Sequence, residues 1–292
     1  MKAPCPIALF LLAALLGAAL SSGFAPASAG DKPWSGALGD GTPLSREDLD
    51  KILRDHEKWI GDAAGEHAWG ELRGAAQRRG RANLNGAHLE GADLSGALLD
   101  EANLVGAHLE GADLSGAHLR GIFLSEARLS GAKLGGAHLE RANLSGADLE
   151  GADLSGADLE RANLFRTRLE GADLKGVNVE RAILFEARLR GADLSGANLG
   201  AAFFGGADVS DVLFEPKPGH PPDTKGMAAA RNLSSLRFAG RPDSLAELRE
   251  AFKRSGFHDQ EREIGLAIRR SERLNLKNRL GSLFHLFFFG SR

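Results

Sequence analysis

Side chains that could do chemistry recur at five-residue intervals along the central part of the chain and do not gather in a catalytic motif. Ser95, Ser115 and Ser155 carry hydroxyl groups, but no His lies within the same five residues to activate them as nucleophiles. The G-x-S-x-G, P-loop, G-x-G-x-x-G and H-E-x-x-H signatures are all missing from the sequence. We therefore predict no catalytic residue and no cofactor. An enzyme with an unrecognised site in the terminal regions is an alternative.

The five-residue spacing predicts the architecture. From Arg81 to Glu215 the chain holds 27 consecutive units of five residues, here called pentads, which begin with Ala82-Asn83-Leu84 and end with Val212-Leu213-Phe214. Five matches neither the 3.6-residue period of an α-helix nor the two-residue period of a strand, so the chain must turn within each pentad. A Gly before the Ala of most pentads tolerates the backbone angles of such a turn.

These pentads resemble the A-(D/N)-L-x-x motif of the pentapeptide-repeat family over slightly under half of the chain. The resemblance implies a β fold, a right-handed quadrilateral β-helix with four pentads per coil. It also implies that the Leu points inward and that the small residue two positions before it fills the corner. At about 4.8 Å per coil, 27 pentads would make a rod about 32 Å long. We expect a helical N-terminal cap and C-terminal helices at its two ends.

With four pentads per coil, residues twenty positions apart lie on one face. One face then carries apolar side chains where other coils have Asn or Ser, and exposed apolar patches usually mark contacts. We favour an intramolecular contact with the linker or the C-terminal helices. A protein partner and a homodimer are the alternatives. The residues of this candidate patch are Phe123, Phe165, Ile183, Phe185 and Phe203.

Two further files of side chains could bind a ligand. Asp93, Asp113 and Asp153 belong to an acidic file, interrupted by Lys133, that could mimic a phosphate backbone. The resemblance implies this alternative, because some cytoplasmic family members imitate DNA to a topoisomerase. His88 with His108, and His118 with His138, also stack one coil apart. Because two imidazoles without a third ligand make a poor zinc site, we predict no metal site.

The first 29 residues are typical of a secretory signal peptide. Lys2 precedes 14 apolar residues from Ile7 to Leu20, and Ala27-Ser28-Ala29 forms an A-x-A cleavage site. Fourteen residues are fewer than the roughly 20 that span a membrane, which disfavours a retained anchor. Cys5 would leave with the peptide, and the mature chain would have no disulfide or thiolate site. We therefore predict an exported protein, periplasmic or extracellular.

A cap is predicted before the repeats. We expect residues 30–43 to be a flexible mature N-terminus and residues 44–80 to be the cap. Ser45 and Asp48 resemble a capping box that opens a helix through about Gly61. The apolar stripe of this helix includes His56 and Trp59, which favours packing against the open end of the first coil.

Composition changes after the repeats. Residues 81–215 carry a net charge of −9 and residues 216–292 a net charge of +7. Residues 216–242 form a Pro-rich linker, which we expect cannot continue the coil because Pro lacks a backbone donor. Residues 243–292 are predicted to form a basic helical region, with one helix that ends at Gly256 and a second from Asp259 toward Phe288.

The basic helical region either caps the last coil, which we favour, or lies on an anionic membrane surface. Nucleic-acid binding is not favoured, because no aromatic stacking platform accompanies the basic stretch. The residues predicted to make the cap or membrane contact are Arg262, Arg269, Arg270, Arg273, Phe287, Phe288 and Phe289.

The sequence therefore predicts an exported, non-enzymatic repeat scaffold that mediates protein–protein or membrane-surface interaction. A DNA-mimicking, topoisomerase-binding protein is the alternative if the chain is not exported.

Overall fold

The pentads form a four-sided coil whose sides are held by parallel bridges. The computed structural model describes residues 34–65, 81–220, 222–238, 241 and 243–289. Bridges join residues twenty positions apart, from Asn83↔Asn103 through Asp193↔Leu213. We number the faces by their first residues: face 1 begins with Asn83, face 2 with His88, face 3 with Asp93 and face 4 with Leu98.

Backbone hydrogen bonds explain how a five-residue period makes a coil. The Leu84 N–H donates to the Asn103 carbonyl at 2.7 Å, and the Asn103 N–H donates to the Ala82 carbonyl at 3.0 Å. Each corner is closed by a short turn, as when the Ala87 N–H donates to the Leu84 carbonyl at 3.0 Å. The corner residue Gly86 adopts φ +63°, a left-handed conformation that favours glycine. The turn predicted within each pentad is present.

The interior is filled by the two inward positions of every pentad. The Ala and Leu side chains from Ala102 to Leu164 are at most 1% exposed. Phe204 and Phe214 replace Leu in the last coil and are also buried. Thr167 is the buried polar exception, and its hydroxyl donates to the Leu144 carbonyl at 2.8 Å. Each buried Leu contributes about 1.5–3 kcal/mol to folding, so the coils supply their own core.

The N-terminal cap is a hairpin followed by a helix. Strands β1 (Ser35–Ala37) and β2 (Pro43–Ser45) pair antiparallel, and helix α1 runs over Arg46–Gly65. The expected capping box is present, since the Asp48 N–H donates to the Ser45 hydroxyl at 3.1 Å and the Ser45 N–H donates to Asp48 at 3.2 Å. The helix extends four residues past Gly61, the expected end, to Gly65. Residues 1–33 and 66–80 lie outside the described residues, and with them the predicted signal peptide over residues 1–29 and the end of the predicted cap.

Residues 34–43, the described part of the segment expected to be flexible over residues 30–43, belong to the hairpin. β1 pairs with the open edge of the first coil: the His88 N–H donates to the Ala37 carbonyl at 2.7 Å and the Ala37 N–H donates back at 3.2 Å. A side chain on Gly36 would come within 2.1 Å of the His88 carbonyl, and one on Gly39 within 2.2 Å of the Asn85 carbonyl. The glycines that resembled a loose linker therefore permit a close backbone approach.

Helix α1 covers the rest of the open edge through a buried histidine. His56 Nδ1 accepts a hydrogen bond from the Ala82 N–H at 3.0 Å, so its Nε2 donates to the Asp100 carbonyl at 3.0 Å. The His56 ring stacks on Trp59 with the centroids 5.3 Å apart. These residues pack the cap, as the sequence predicted, and His56 satisfies backbone groups that would otherwise be unpaired at the rod end.

Residues 216–238 continue the solenoid for one irregular coil, which differs from the linker expected there. The Lys217 N–H donates to Ala197, the Arg231 N–H to Ala207 and the Arg237 N–H to Val212, at 2.7, 2.8 and 2.9 Å. None of these donors is a proline, so Pro216, Pro218 and Pro222 occupy positions where these ladder bonds need no donor. Helix α2 (Thr224–Ala228) and a 3-10 turn (Leu233–Ser235) fill the corners of this coil.

Helices α3 (Asp243–Arg254) and α4 (His258–Phe289) close the C-terminal end. The buried face of α3 holds Leu245, Leu248 and Phe252, as the pattern predicted. Polar side chains of α4 bind the free backbone of the irregular coil: Ser271 accepts from the Phe238 N–H at 3.3 Å, and Gln260 donates to the Ala228 carbonyl at 3.3 Å. The described part of α4 therefore caps the rod.

Candidate interaction surface

An apolar patch lies on face 1 in the last three regular coils. Ile183 and Phe203 are bridge partners, and the rings of Phe185 and Phe203 are 6.2 Å apart between centroids. Phe165 precedes Phe185 at the same corner, and backbone bonding joins their coils. We call Phe165, Ile183, Phe185 and Phe203 the apolar patch. Ile183, Phe185 and Phe203 stay exposed, with Phe185 at 42%, so the C-terminal helices do not cover them.

Phe123 does not join the apolar patch. Asn143 and Asn163 separate it from Ile183 along face 1. The Phe123 ring is 39% exposed, and the Arg81 guanidinium lies 4.6 Å from its centroid. Of the five residues that the sequence grouped together, the structure therefore places four in one continuous surface.

The Phe185 ring is positioned by Gly205. A Cβ atom at Gly205 would lie 2.7 Å from one ring carbon of Phe185, so the ring occupies the space of the absent side chain. The Phe185 ring thus lies against the Gly205 backbone of the next coil, 6.2 Å from the Phe203 ring between centroids. An aromatic surface held in this way loses little conformational freedom when a partner binds.

The corners on either side of face 1 carry unusual residues. Left-handed corner positions elsewhere in the repeats are filled by Gly, but nine are filled by other residues, each at a cost of about 1–2 kcal/mol. Eight of the nine border face 1. They are Glu101, Arg141, Arg161, Arg181 and Ala201 before the face, and Glu126, Arg166 and Glu186 after it.

The ninth residue contacts the C-terminal cap. Asp211 lies between faces 2 and 3, and its carboxylate accepts a hydrogen bond from Arg270 of α4 at 2.9 Å. It therefore docks the C-terminal cap. Backbone strain tends to persist where a side chain is needed for function. Seven of the eight residues beside face 1, all except Ala201, place charged side chains along the borders of the apolar face.

Charges at these borders are partly compensated. Arg166 pairs with Glu186 at 2.7 Å and also lies over the Phe165 ring, 4.7 Å from its centroid. Arg161 lies 3.4 Å from Glu160. Exposed pairs of this kind contribute about 0–1 kcal/mol and exchange partners readily. The guanidinium groups at the border before face 1 can therefore turn to carboxylates on another molecule.

A shallow groove runs along the corner between faces 4 and 1. Arg120, Glu140, Arg141, Glu160 and Arg161 line it. Arg120 donates a hydrogen bond to Glu140 at 2.8 Å. Burial raises the pKa of Glu140, but the bond from Arg120 and a backbone hydrogen bond outweigh burial and hold that pKa below its usual value. The groove is therefore lined by side chains of both charges, and the Arg120–Glu140 pair joins two successive coils across it.

The acidic file of face 3 is explained by the fold. Asp93 accepts from the backbone N–H of Ser95 at 3.1 Å, and Asp113 accepts from that of Ser115 at 3.1 Å. The Ser115 side chain is the main reason that the pKa of Asp113 is lowered. Lys175 lies 2.8 Å from Asp173, within the file. The carboxylates stabilise turns and are partly neutralised, so the file gives no support to DNA mimicry.

The two stacked histidine pairs are present, and one of them has a third side chain of the metal-ligand type beside it. The rings of His88 and His108 are 4.2 Å apart, and those of His118 and His138 are 5.0 Å apart. Glu90 adds a third ligand-type side chain to the first pair, with its Oε1 3.1 Å from His88 Nδ1. Sequence reasoning missed Glu90, although its place two residues after His88 puts it at the neighbouring corner.

Four arginines of α4 were predicted to contact a membrane or the rod. Arg270 binds Asp211 of the rod, Arg262 pairs with Asp259 within the helix, and Arg269 and Arg273 are exposed. Phe287, Phe288 and Phe289 end the helix, and their side chains lie outside the described part of the structure. Two exposed leucines, Leu266 at 51% and Leu276 at 59%, share the outer side of α4 with Arg269 and Arg273. Among the described residues, no helix has a stretch long and apolar enough to cross a membrane.

The repeats match known proteins. The family model of pentapeptide repeats matches residues 82–121, 124–161 and 162–200, with 8 copies. The solved structure of HetL, a pentapeptide repeat protein involved in heterocyst differentiation regulation in Nostoc sp. strain PCC 7120, is 30% identical. The alignment covers 63% of this chain and 77% of HetL, with a TM-score of 0.39. The chain therefore belongs to the pentapeptide repeat family, whose fold is the quadrilateral β-helix.

Two other solved structures are similar. Rfr23 from Cyanothece 51142 is 35% identical over 35% of this chain and 65% of that protein, with a TM-score of 0.29. A pentapeptide repeat protein of the Arabidopsis thaliana thylakoid lumen is 27% identical over 46% of this chain and 75% of its own, with a TM-score of 0.25. No curated protein sequence matches the chain.

Proposed function

We propose that this pentapeptide repeat protein is an exported, non-enzymatic scaffold that binds a protein partner through face 1. The observation that carries the proposal is the exposure of Ile183, Phe185 and Phe203 although two C-terminal helices are available to cover apolar surface. A filled interior supports a non-enzymatic role, since the coils enclose Leu and Ala and leave no room for substrate within the described rod.

The borders of face 1 indicate the chemistry of the partner. Arg141, Arg161 and Arg181 are stacked at intervals of twenty residues beside the apolar patch, and all three are exposed. A partner that presents apolar side chains edged by carboxylates would complement both features. Aromatic and Arg residues are also the types that contribute most to binding in protein interfaces.

The test uses substitutions that the repeat already tolerates. Ile183→Asn with Phe203→Asn restores the residue found at Asn143 and Asn163 of the same face. The matched control is Phe123→Asn, which removes an equally exposed ring outside the patch. The tagged full-length chain is expressed in its own organism, and co-purifying envelope proteins are quantified by mass spectrometry.

We expect one or a few proteins to co-purify with the wild-type chain and with the Phe123 variant, and to be lost with the double variant. An unchanged set in the double variant would refute the role of the patch. A shift of the purified chain from dimer to monomer in the double variant would assign the patch to a homodimer instead.

A second candidate function is contact with an anionic membrane surface through α4. The exposed Leu266 and Leu276 beside Arg269 and Arg273 favour it, because an interfacial helix combines apolar side chains with cations that bind headgroups. The protein should then sediment with anionic vesicles and be released as salt rises. The control Arg128→Ser removes an exposed cation from the rod.

The Phe residues at the end of α4 separate this function from a purely structural one. If Phe287, Phe288 and Phe289 insert into lipid, their replacement by Ser should abolish vesicle binding without a change in thermal stability. Lower thermal stability with no vesicle binding in either protein would assign the tail to the cap.

A further inference from the structure

We propose that His88, Glu90 and His108 bind a divalent transition metal ion of the zinc type. The Glu90 Oε1 atom lies 3.1 Å from Nδ1 of His88 and 3.5 Å from Nδ1 of His108. The three ligand atoms all lie within 4.8 Å of one another. Face 2 brings the two imidazoles together, and the following corner adds the carboxylate.

Two of the three separations between ligand atoms fit tetrahedral coordination. Zinc binds imidazole nitrogen and carboxylate oxygen at about 2.0–2.2 Å, which places neighbouring ligand atoms of a tetrahedron about 3.3 Å apart. The two separations from Glu90, 3.1 and 3.5 Å, lie on either side of this value. The two imidazole nitrogens lie within 4.8 Å of each other, so rotation of the imidazoles about their side-chain bonds would complete the three-ligand set.

The ligand types select the class of metal. Two nitrogen donors and one carboxylate suit Zn²⁺, Ni²⁺ and Cu²⁺, whereas Mg²⁺ and Ca²⁺ prefer sites made of oxygen atoms. All three side chains are at least partly exposed, with His108 the least exposed. The ion would reach the site directly from solvent and retain water in its fourth position.

The position of the cluster predicts what the metal does. His88 pairs with Ala37 of the N-terminal hairpin, and the Trp34 indole donates to the Glu90 carbonyl at 3.1 Å. His108 belongs to the second coil. A bound ion would therefore tie the first coil to the second at the place where the cap is attached. Metal binding should stabilise the folded protein, since the unfolded chain does not hold the three ligands together.

The chain contains its own control. His118 and His138 stack in the same way on face 4, but in the described part of the chain no carboxylate completes a three-ligand group with them. Nonspecific binding to stacked surface histidines would use both pairs. A built site would use only the pair that has Glu90.

The experiment titrates ZnCl₂ into the full chain, without a polyhistidine tag, by isothermal calorimetry. The variants are Glu90→Ser and His108→Asn, with His138→Asn as the control. Ser stands in the Glu90 column at Ser130 and Ser210, and Asn is common at outward positions, so the coil should be preserved. Circular dichroism checks the fold of each variant.

We expect one Zn²⁺ per chain, with binding at least about tenfold weaker in Glu90→Ser and His108→Asn and unchanged in His138→Asn. The melting temperature should rise with Zn²⁺ in the wild type and in the control only. Equal binding by all four proteins, or no saturable binding by the wild type, would overturn the proposal. If either site variant unfolds, a wild-type melting temperature that Zn²⁺ does not raise would also overturn it.

Discussion

Replacing the arginines beside face 1 by glycine should leave the protein at least as stable while it weakens partner binding. Arg141, Arg161 and Arg181 adopt φ of 60°, 59° and 57°, where most other repeat corners hold Gly. Their presence costs folding free energy at each corner. The triple variant Arg141→Gly, Arg161→Gly and Arg181→Gly removes that cost together with the guanidinium groups.

The magnitude can be worked out for each site. Gly adopts the left-handed conformation without strain, so each replacement raises the free energy of unfolding by about 1–2 kcal/mol. The greater conformational freedom of Gly in the unfolded chain lowers it by about 0.5–1 kcal/mol. Loss of the exposed pairs of Arg161 with Glu160 and Arg181 with Glu180 removes at most about 1 kcal/mol each. Over the three sites these contributions lie between about −2 and +4.5 kcal/mol and centre on a gain of about 1 kcal/mol in free energy of unfolding.

Urea unfolding measures the stability, and co-purification of the partner measures the binding. The reverse control is Gly151→Arg on the opposite side of the rod, where φ is +65° and a Cβ atom would have nothing within 4 Å. It should lose about 1 kcal/mol of stability without affecting the partner. A triple variant that is clearly less stable than the wild type, with partner binding intact, would refute the reasoning and assign the arginines to the fold.

Four further outcomes are expected. Leu144→Asp should unfold several coils, because it places an unpaired charge at a position only 1% exposed. Asp148→Ser, at an outward position, should cost no more than about 1 kcal/mol of stability. Equal melting temperatures of the two variants would contradict the assignment of Leu144 to the interior. His56→Leu should cost about 1–3 kcal/mol, because it leaves one backbone N–H and one carbonyl of the first coil unpaired, and faster amide exchange there checks it. Burial raises the pKa of Asp193, but hydrogen bonds from Ser195 in its turn hold that pKa below 3.8. The ionised carboxylate therefore stabilises the folded protein above pH 3.8, and this contribution is lost as the pH falls through the lowered pKa. Asp193→Asn should reduce the dependence of the free energy of unfolding on pH in acid. The mature protein should begin at Gly30 and fractionate outside the cytoplasm, and full-length cytosolic protein would contradict export.

The repeat region could be predicted from the sequence because its information is local. A five-residue period with Ala and Leu at fixed positions allows one inward assignment, and the bridges at intervals of twenty residues agree with it. The helices were predictable for the same reason, since Ser45 with Asp48 and the apolar stripe of α3 are short-range signals. The residues of the candidate patch could be predicted as well, because four pentads per coil place residues twenty positions apart on one face.

Contacts between distant segments were decided by the tertiary structure. Ala37 pairs with His88 because two glycines allow the backbones to approach, and composition alone made the same glycines resemble a flexible segment. Residues 216–238 join the solenoid because their donors fall between the prolines, which depends on register and not on composition.

The exposure of the apolar patch could be determined only from the tertiary structure. The sequence showed that Ile183, Phe185 and Phe203 share a face, but whether α4 covers them depends on where that helix docks. It binds the backbone of the irregular last coil instead, through side chains such as Ser271. The five-residue period and the burial of Ala and Leu are determined by residues close together in the sequence. Docking and exposure depend on which distant surfaces leave the fewest backbone groups unpaired, and that is set only when the whole chain is folded.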